Sequence, residues 1–297
     1  LLSLRQALGQ PETLIVFDTR RTAFPDGGHG WDAFLDRGRA LDAREPERFE
    51  ATWRAVRPED LATIAYTSGT TGPPKGAMIT HANLYHTVLN ASRMHPYEEN
   101  DFGLAFLPLT HMLQRMTVYA ALHLGIVGAY AEGIDRLVDN FRELKPTVQV
   151  SVPQIFERIY TRIQQMLAGG HPLKRRIFRW AVDVGRRTAL FRREGRPLPP
   201  ALAAAHAAAH AFVFRKIHAV FGGRVKYLLC GGAPMPMYLL EFFEAVGLLI
   251  LEGYGLTETS PVTNLCLPEE YRPHSVGRAM PGIEERIVDL NTGEALP

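Results

Sequence analysis

Short apolar runs alternate with helix-patterned segments along most of this chain, and that alternation limits its folds more than any other feature. Thr13 to Asp18, Leu61 to Tyr66, Phe102 to Leu107, Val148 to Val152, Val225 to Cys230 and Leu248 to Glu252 have the length and the polar or turn boundaries of buried strands. Between two of them, Ser151-Val152-Pro153-Gln154 has capping-box spacing with proline in the first turn. Ile155, Ile159, Ile163 and Met166 then recur along one helical face, and Gly169 stands where the helix should stop. Pro236 opens a second helix that turns Leu239, Leu240 and Phe243 inward, with Gly247 at the place of a left-handed terminating residue. Strand, helix, strand order predicts an α/β fold, a layered sandwich of mostly parallel sheets flanked by helices, with ligands at the carboxyl ends of strands. No internal repeat is visible. Residues 20–60 are charged and carry Gly27, Gly28 and Gly30, which reads as surface connection with little catalytic content.

Composition removes several functional classes. The 33 Lys and Arg against 31 Asp and Glu exclude an acidic solvating tail and a broadly basic nucleic-acid binder. With 46% hydrophobic and 22% charged residues the chain folds around a core. Its 297 residues allow one large domain or two smaller units. Two cysteines, Cys230 and Cys266, cannot build a multi-bridge framework, so a reducing cytoplasm is the default expectation. No export signal opens the sequence. The longest uncharged stretch, Pro197 to Phe214, holds three prolines and two histidines and is too polar to span a bilayer. The first residue, Leu1, and the stop at Pro297 read as a piece of a longer polypeptide. Between Lys174 and Arg196, nine cations face only Asp183 and Glu194. That run is a solvated helix face or a peripheral contact with an anionic membrane, on the inner face of which an apolar substrate would be collected.

The most informative stretch follows Tyr66: Thr67-Ser68-Gly69-Thr70-Thr71-Gly72-Pro73-Pro74-Lys75-Gly76. Glycines let backbone N–H groups approach a ligand closely, four hydroxyls add donors, and one lysine adds a compact positive charge. Together they suit a polyphosphate. The Walker loop is excluded, because that motif needs Gly immediately before the lysine and Ser or Thr after it, and Pro74 and Gly76 stand there.

On these residues the sequence resembles the AMP-forming adenylating enzymes, the family of acyl-CoA synthetases, luciferases and peptide-synthetase adenylation domains. Tyr66 to Gly76 is similar to that family's phosphate-loop signature, Gly253-Tyr254-Gly255-Leu256-Thr257-Glu258-Thr259 to its second signature and Gly231-Gly232-Ala233-Pro234 to a third. The resemblance runs from about Leu61 to Ile287 and takes in Pro108-Leu109-Thr110-His111 and Ser275-Val276-Gly277-Arg278. Val152 to Tyr160 is most like the long-chain fatty acyl members. The resemblance implies the family's large N-terminal domain, incomplete here, with residues 1–60 as an upstream part and residues 61–297 as the nucleotide- and acyl-binding core.

It also implies the chemistry. A carboxylate attacks the α-phosphorus of ATP, pyrophosphate leaves, and a thiol, usually that of coenzyme A, displaces AMP. By resemblance Thr67, Ser68, Gly69, Thr70, Thr71, Gly72 and Lys75 hold the β- and γ-phosphates, and Glu258 holds Mg²⁺. Thr257 contacts the α-phosphate; Tyr254 and Gly255 lie along one side of adenine, and Gly231, Gly232, Ala233 and Pro234 along the other. His111 is placed near the carboxylate and thiol path, where the other reading is a structural histidine. Gln114 falls where relatives carry Glu or Gly. Cys230 is not a nucleophile on this reading, because an apolar strand end raises a thiol's pKa. His206 and His210 have metal-ligand spacing without a third ligand and read as packing.

Other expectations follow from what the family pattern lacks here. Its ribose-binding Asp is not matched, since Thr292-Gly293-Glu294 comes too early and offers Glu. The mobile C-terminal domain with its adenylation lysine is also absent, so the chain alone is expected to make neither adenylate nor thioester. The parent reads as a long-chain fatty acyl-CoA synthetase. A ligase that loads a carrier protein, and a non-catalytic nucleotide-binding module, remain open alternatives, and the oligomeric state is unspecified.

Overall fold

The computed structural model describes residues 13–17, 28–67, 73–94 and 98–296. The chain divides into two compact units, Leu1–Asp60 and Leu61–Pro297. In the first, β1 (Leu14–Val16) pairs in parallel with β2 (Gly28–Gly30), and two helices follow, α1 (Trp31–Arg44) and α2 (Arg48–Arg54). The stretch read as surface connection is thus largely helical. Neither helix buries a residue, so no apolar stripe announced them.

The second unit opens with an antiparallel ribbon, β3 (Leu61–Thr67) and β4 (Lys75–Thr80). This corrects the expectation of a buried strand at Leu61–Tyr66. Only Ala65 of β3 is buried, while Ile64 and Tyr66 are exposed. Apolar residues at nearly every position from Leu61 to Tyr66 read as a strand buried on both faces and hide in the sequence that one face has nothing packed on it. Then come α3 (His81–Met94), β5 (Phe102–Ala105), α4 (Met112–Leu124), β6 (Val127–Tyr130) and α5 (Leu137–Leu144). They are followed by β7 (Val148–Ser151), α6 (Pro153–Ala168), α7 (Pro172–Arg193) and α8 (Pro200–Ala209). A π-helical turn (His210–Phe214) leads into α9 (Arg215–His218), and the unit continues with β8 (Tyr227–Cys230), α10 (Met237–Ala245) and β9 (Ile250–Tyr254). Two short strands, β10 (Asn264–Leu265) and β11 (Arg278–Ala279), complete the order.

The central sheet runs β11-β10-β9-β8-β7. Strands β7, β8 and β9 are parallel, and β10 and β11 add an antiparallel edge. All four residues of β8 are buried, because helices cover both faces. Leu228, Cys230 and Ile250 join a core with Phe141, Phe156, Phe214 and Phe243. Their neighbours Tyr227, Leu229 and Leu251, with Val148 and Val150 of β7, point the other way, onto Val88, Met116 and Ala120. A period-two pattern therefore serves two cores at once.

Helix α6 buries Ile155, Ile159 and Ile163 as its spacing predicts, but three details differ. Met166 is exposed, the helix stops at Gly169 as expected but with that residue in the right-handed conformation, and Val152 is the N-cap with no side-chain bond, unlike the capping box read at Ser151. Ser151 cannot cap, because it is still the last residue of β7. In α10, Leu239, Leu240 and Phe243 are buried and Gly247 has φ +82°, as the pattern requires.

Strand β5 lies beside β7 through a buried polar joint. Thr147 N–H donates to Phe102 O (2.9 Å) and Phe102 N–H to Thr147 Oγ1 (2.9 Å). The Thr147 hydroxyl donates to buried Asp101 (2.6 Å), which also accepts from Glu98 N–H (2.9 Å) and from Lys226 Nζ (3.0 Å). Burial pushes the Asp101 carboxyl up, but the bonds from Glu98, Thr147 and Lys226 outweigh it and hold the group below the usual range. A depressed folded-state pKa stabilises above the unfolded value of about 3.9 and is lost as pH falls through the folded value. Asp101→Asn is expected to cost about 1–3 kcal/mol at pH 7, measured by urea unfolding, with the gap to wild type closing below about pH 4. A gap that does not change with pH would rule out this joint as the source.

Candidate active site

Where β8 and β9 end, the chain opens a cavity of about 950 Å³. Three segments meet around its mouth. The first is the ribbon: Thr67 ends β3, Lys75 begins β4, and the two are cross-strand partners, with the Thr67 hydroxyl directed to Lys75 O (3.5 Å). Hairpin pairing thus anchors both ends of the glycine-rich connection. Ser68, Gly69, Thr70, Thr71 and Gly72 lie outside the described residues.

The second segment leaves β9. Tyr254 is exposed at the rim, and Gly255, Leu256, Thr257 and Glu258 continue along the wall. Thr257–Thr259 forms a single 3-10 turn, closed by Thr259 N–H to Leu256 O (3.0 Å) and by Leu256 N–H to the Thr259 hydroxyl (2.8 Å). The turn presents Thr257 and Glu258 to the space that Lys75 faces. Gly255 is required by packing, since a Cβ there would stand 1.8 Å from Pro261 O.

The third segment is the turn after β8. Gly231 and Gly232 line the cavity, and Ala233 and Pro234 follow as exposed residues next to that lining. His111, the N-cap residue of α4, lines the mouth. Pro73 does so as well, which the sequence reading passed over.

Below this polar rim the walls become apolar. Leu113, Met116 and Ala120 of α4 face Val150, Leu229 and Val262 across the interior. The sequence reading missed this contribution from α4. Its signal was the spacing of Met112, Met116 and Ala120, all of which are buried. Gln114 on the same helix is structural: its buried Oε1 accepts from Phe106 N–H (3.2 Å) and Leu107 N–H (3.0 Å). These bonds occupy the backbone that would otherwise have extended β5 to Leu107.

Cys230 also borders the cavity, yet burial and the nearby Glu252 push its thiol up to about 12. At neutral pH it carries almost no thiolate, which fits its rejection as a nucleophile. His206 packs against the Phe214 ring at 5.8 Å, and no group of three or more metal-ligating side chains occurs among the described residues. Thr292 and Glu294 belong to a tight turn around Asp289, which accepts from Asn291 and Thr292 N–H (both 2.8 Å).

A family model described as "AMP-binding enzyme" matches residues 15–297. The chain belongs to the AMP-binding enzyme family. It is 36% identical over 265 residues to the long-chain-fatty-acid--CoA ligase FadD15 of Mycobacterium tuberculosis, covering 89% of this chain and 43% of that protein. It is 33% identical to the peroxisomal long chain acyl-CoA synthetase 6 of Arabidopsis thaliana, over 88% of this chain and 35% of that one. The chain therefore spans less than half the length of these relatives. Among solved structures, the inhibitor-bound N-terminal domain of FACL13 from M. tuberculosis aligns over 93% of this chain and 57% of its own, with TM-score 0.57 and 21% identity. ATP-bound MatB from Rhodopseudomonas palustris aligns over 81% of this chain and 38% of its own, with TM-score 0.55 and 24% identity. These likenesses show the α/β fold.

Gly255→Ala is expected to displace the Thr257–Thr259 turn and destabilise the chain by about 1–3 kcal/mol, read in thermal unfolding. Unchanged stability would mean that the 255–262 segment is free to shift.

Proposed function

We propose that this chain carries the nucleotide- and acyl-binding part of an ATP-dependent ligase, which activates a long-chain fatty acid as acyl-AMP and passes the acyl group to coenzyme A. The carrying observation is convergence. Lys75 and Thr67 from the ribbon, and Thr257 and Glu258 from the turn after β9, line one cavity with a polar mouth and an apolar interior. Residues 61–297 are the binding core, and residues 1–60 an upstream part of the same large domain.

The reaction needs what such a cavity offers. A fatty carboxylate oxygen attacks the α-phosphorus, and the bond to the bridging oxygen breaks as pyrophosphate departs with its electrons. The coenzyme A sulfur then attacks the acyl carbon, loses its proton and expels AMP. Lys75, Thr67 and the hydroxyls of Ser68, Thr70 and Thr71 hold the departing pyrophosphate, while Thr257 steadies the α-phosphate. Tyr254 offers a ring face to adenine, with Gly231 and Gly232 opposite, where little side chain obstructs the base. His111 sits at the boundary of polar and apolar walls, where the carboxylate would lie. The apolar interior along α4 receives the hydrocarbon, each buried methylene contributing about 0.8 kcal/mol.

Glu258 is the residue that would hold Mg²⁺. One exposed carboxylate beside substrate phosphates is a donor set this hard ion commonly uses, and when bound it neutralises phosphate charge. Calorimetry of ATP binding tests the reading. Lys75→Ala, and Glu258→Gln in the presence of Mg²⁺, should each weaken affinity about tenfold or more. Wild-type affinity in both variants would overturn it.

Peripheral membrane contact through residues 174–196 is a second part of the proposal. Leu173, Ile177 and Trp180 form an exposed stripe at helical spacing on α7, beside Lys174, Arg175, Arg176 and Arg179. Farther along, Arg186 is paired with Asp183, Arg193 with Glu244 and Arg196 with Glu194, whereas Lys174, Arg175, Arg176 and Arg179 have no ion pair among the described residues. Changing Arg175, Arg176 and Arg179 together to Glu should weaken binding to anionic vesicles about tenfold or more, and undiminished sedimentation with vesicles would reject the contact. No helix among the described residues is long and apolar enough to cross a membrane.

A further inference from the structure

At the opposite end of the central sheet, just before β7 and β8 begin, lies a surface cleft of about 340 Å³. Arg142 and Lys145 reach it from the end of α5, and Arg215 from α9; the rings of His210 and His218 and the turn at Gly222 and Gly223 complete its walls. No carboxylate lines the cleft, and among the described residues none of these three cations has an ion-pair or hydrogen-bond partner for its side chain. Elsewhere Arg193 is paired with Glu244 and Lys226 with Asp101.

Unpaired like charges around one concavity repel each other. The carboxyl end of α5 and that of the α9 segment offset part of this, at about half a negative charge each, which leaves the cleft positive by roughly two charges. A local distortion of the helix helps to assemble it. An α-helical turn aligns residues three or four apart, whereas the π-turn His210–Phe214 brings residues five apart into line, so that His210 and Arg215 share the face that continues to His218. The His210 and His218 rings meet edge to face at 5.5 Å. His218 Nε2 donates to Val246 O (2.7 Å), which fixes that ring as a wall. Burial, with His210 nearby, holds the His218 imidazole below its ordinary value, so the charge at neutral pH comes from the two arginines and the lysine.

We propose that this cleft binds a phosphoryl anion, either a free phosphate or the phosphomonoester headgroup of a lipid. Two guanidinium forks and an ammonium match a dianion with three terminal oxygens, whereas a single carboxylate would leave at least one cation unsatisfied. The site is separate from the proposed nucleotide cavity. Strands β7 to β9 lie between the two, and even a four-residue strand spans about 13 Å.

The His210 ring supplies a local readout. Titration of the whole chain with inorganic phosphate at constant ionic strength should move the His210 ring resonances in NMR, and Lys75→Ala should not alter that response. Combined Arg142→Gln, Lys145→Gln and Arg215→Gln substitution should weaken the response about tenfold or more without lowering the unfolding midpoint. Arg215→Lys, which keeps the charge and loses the fork, should fall between. In a second arm, phosphatidylcholine vesicles with and without phosphatidate are added. A His210 response to phosphatidate vesicles that the triple variant loses assigns the site to a lipid headgroup, and a response to soluble phosphate alone assigns it to a free anion. Resonances that neither inorganic phosphate nor phosphatidate moves, or that move equally in the triple variant, would overturn the proposal.

Discussion

Burial of β7, β8 and β9 on both faces is the constraint from which the rest of the second unit follows. A strand covered on both sides must be largely apolar and must satisfy its backbone within the sheet, as the four buried residues of β8 do. Buried Gln149 of β7 bonds backbone, donating to Leu104 O and Val150 O. Side chains open to a ligand are thereby displaced to the strand ends. At the carboxyl ends the chain turns through Gly231, Gly232, Gly253 and Gly255, which bring bare backbone to a cavity, and the side chains of α4 form its apolar depth. The two chemistries that the proposed ligation needs, phosphate recognition and hydrocarbon burial, are adjacent because the sheet leaves them only that edge.

The rim depends on parts that carry no reacting group. Pairing of Thr67 with Lys75 holds the two ends from which the glycine-rich connection leaves. Buried Gln114 ties the segment after β5 to α4, so the turn leading to His111 starts from a fixed point. The small core of Ala65, Ile79, Leu84 and Met112 joins the ribbon to α3 and α4. Positioning of this kind limits how much a reacting geometry loosens, and a fraction of an ångström matters for in-line displacement.

Charge is distributed with the same economy. Arg193 and Lys226 are paired with Glu244 and Asp101, whereas among the described residues two groups of cations without ion pairs stand at the amino-terminal half of α7 and in the cleft at the far end of the sheet. Both groups face solvent. Neither is part of the proposed catalytic cavity, so each can meet an anion without disturbing nucleotide binding.

Much of this was legible in the sequence because it rests on local rules. Isoleucines at helical spacing, Pro236 and Gly247 around α10 and the unbroken apolar run of β8 are each set by a few neighbouring residues, and each matches the element it predicts. What neighbours do not determine was hidden. Whether Leu61–Tyr66 is covered on both faces, which side of α4 faces the cavity, and that Gln114 binds backbone depend on contacts between segments far apart in the chain. The amino acids by themselves determined which groups are present and what each can bond. Only tertiary structure decided which of them meet, because convergence in space is set by how helices pack on a sheet and not by separation along the backbone.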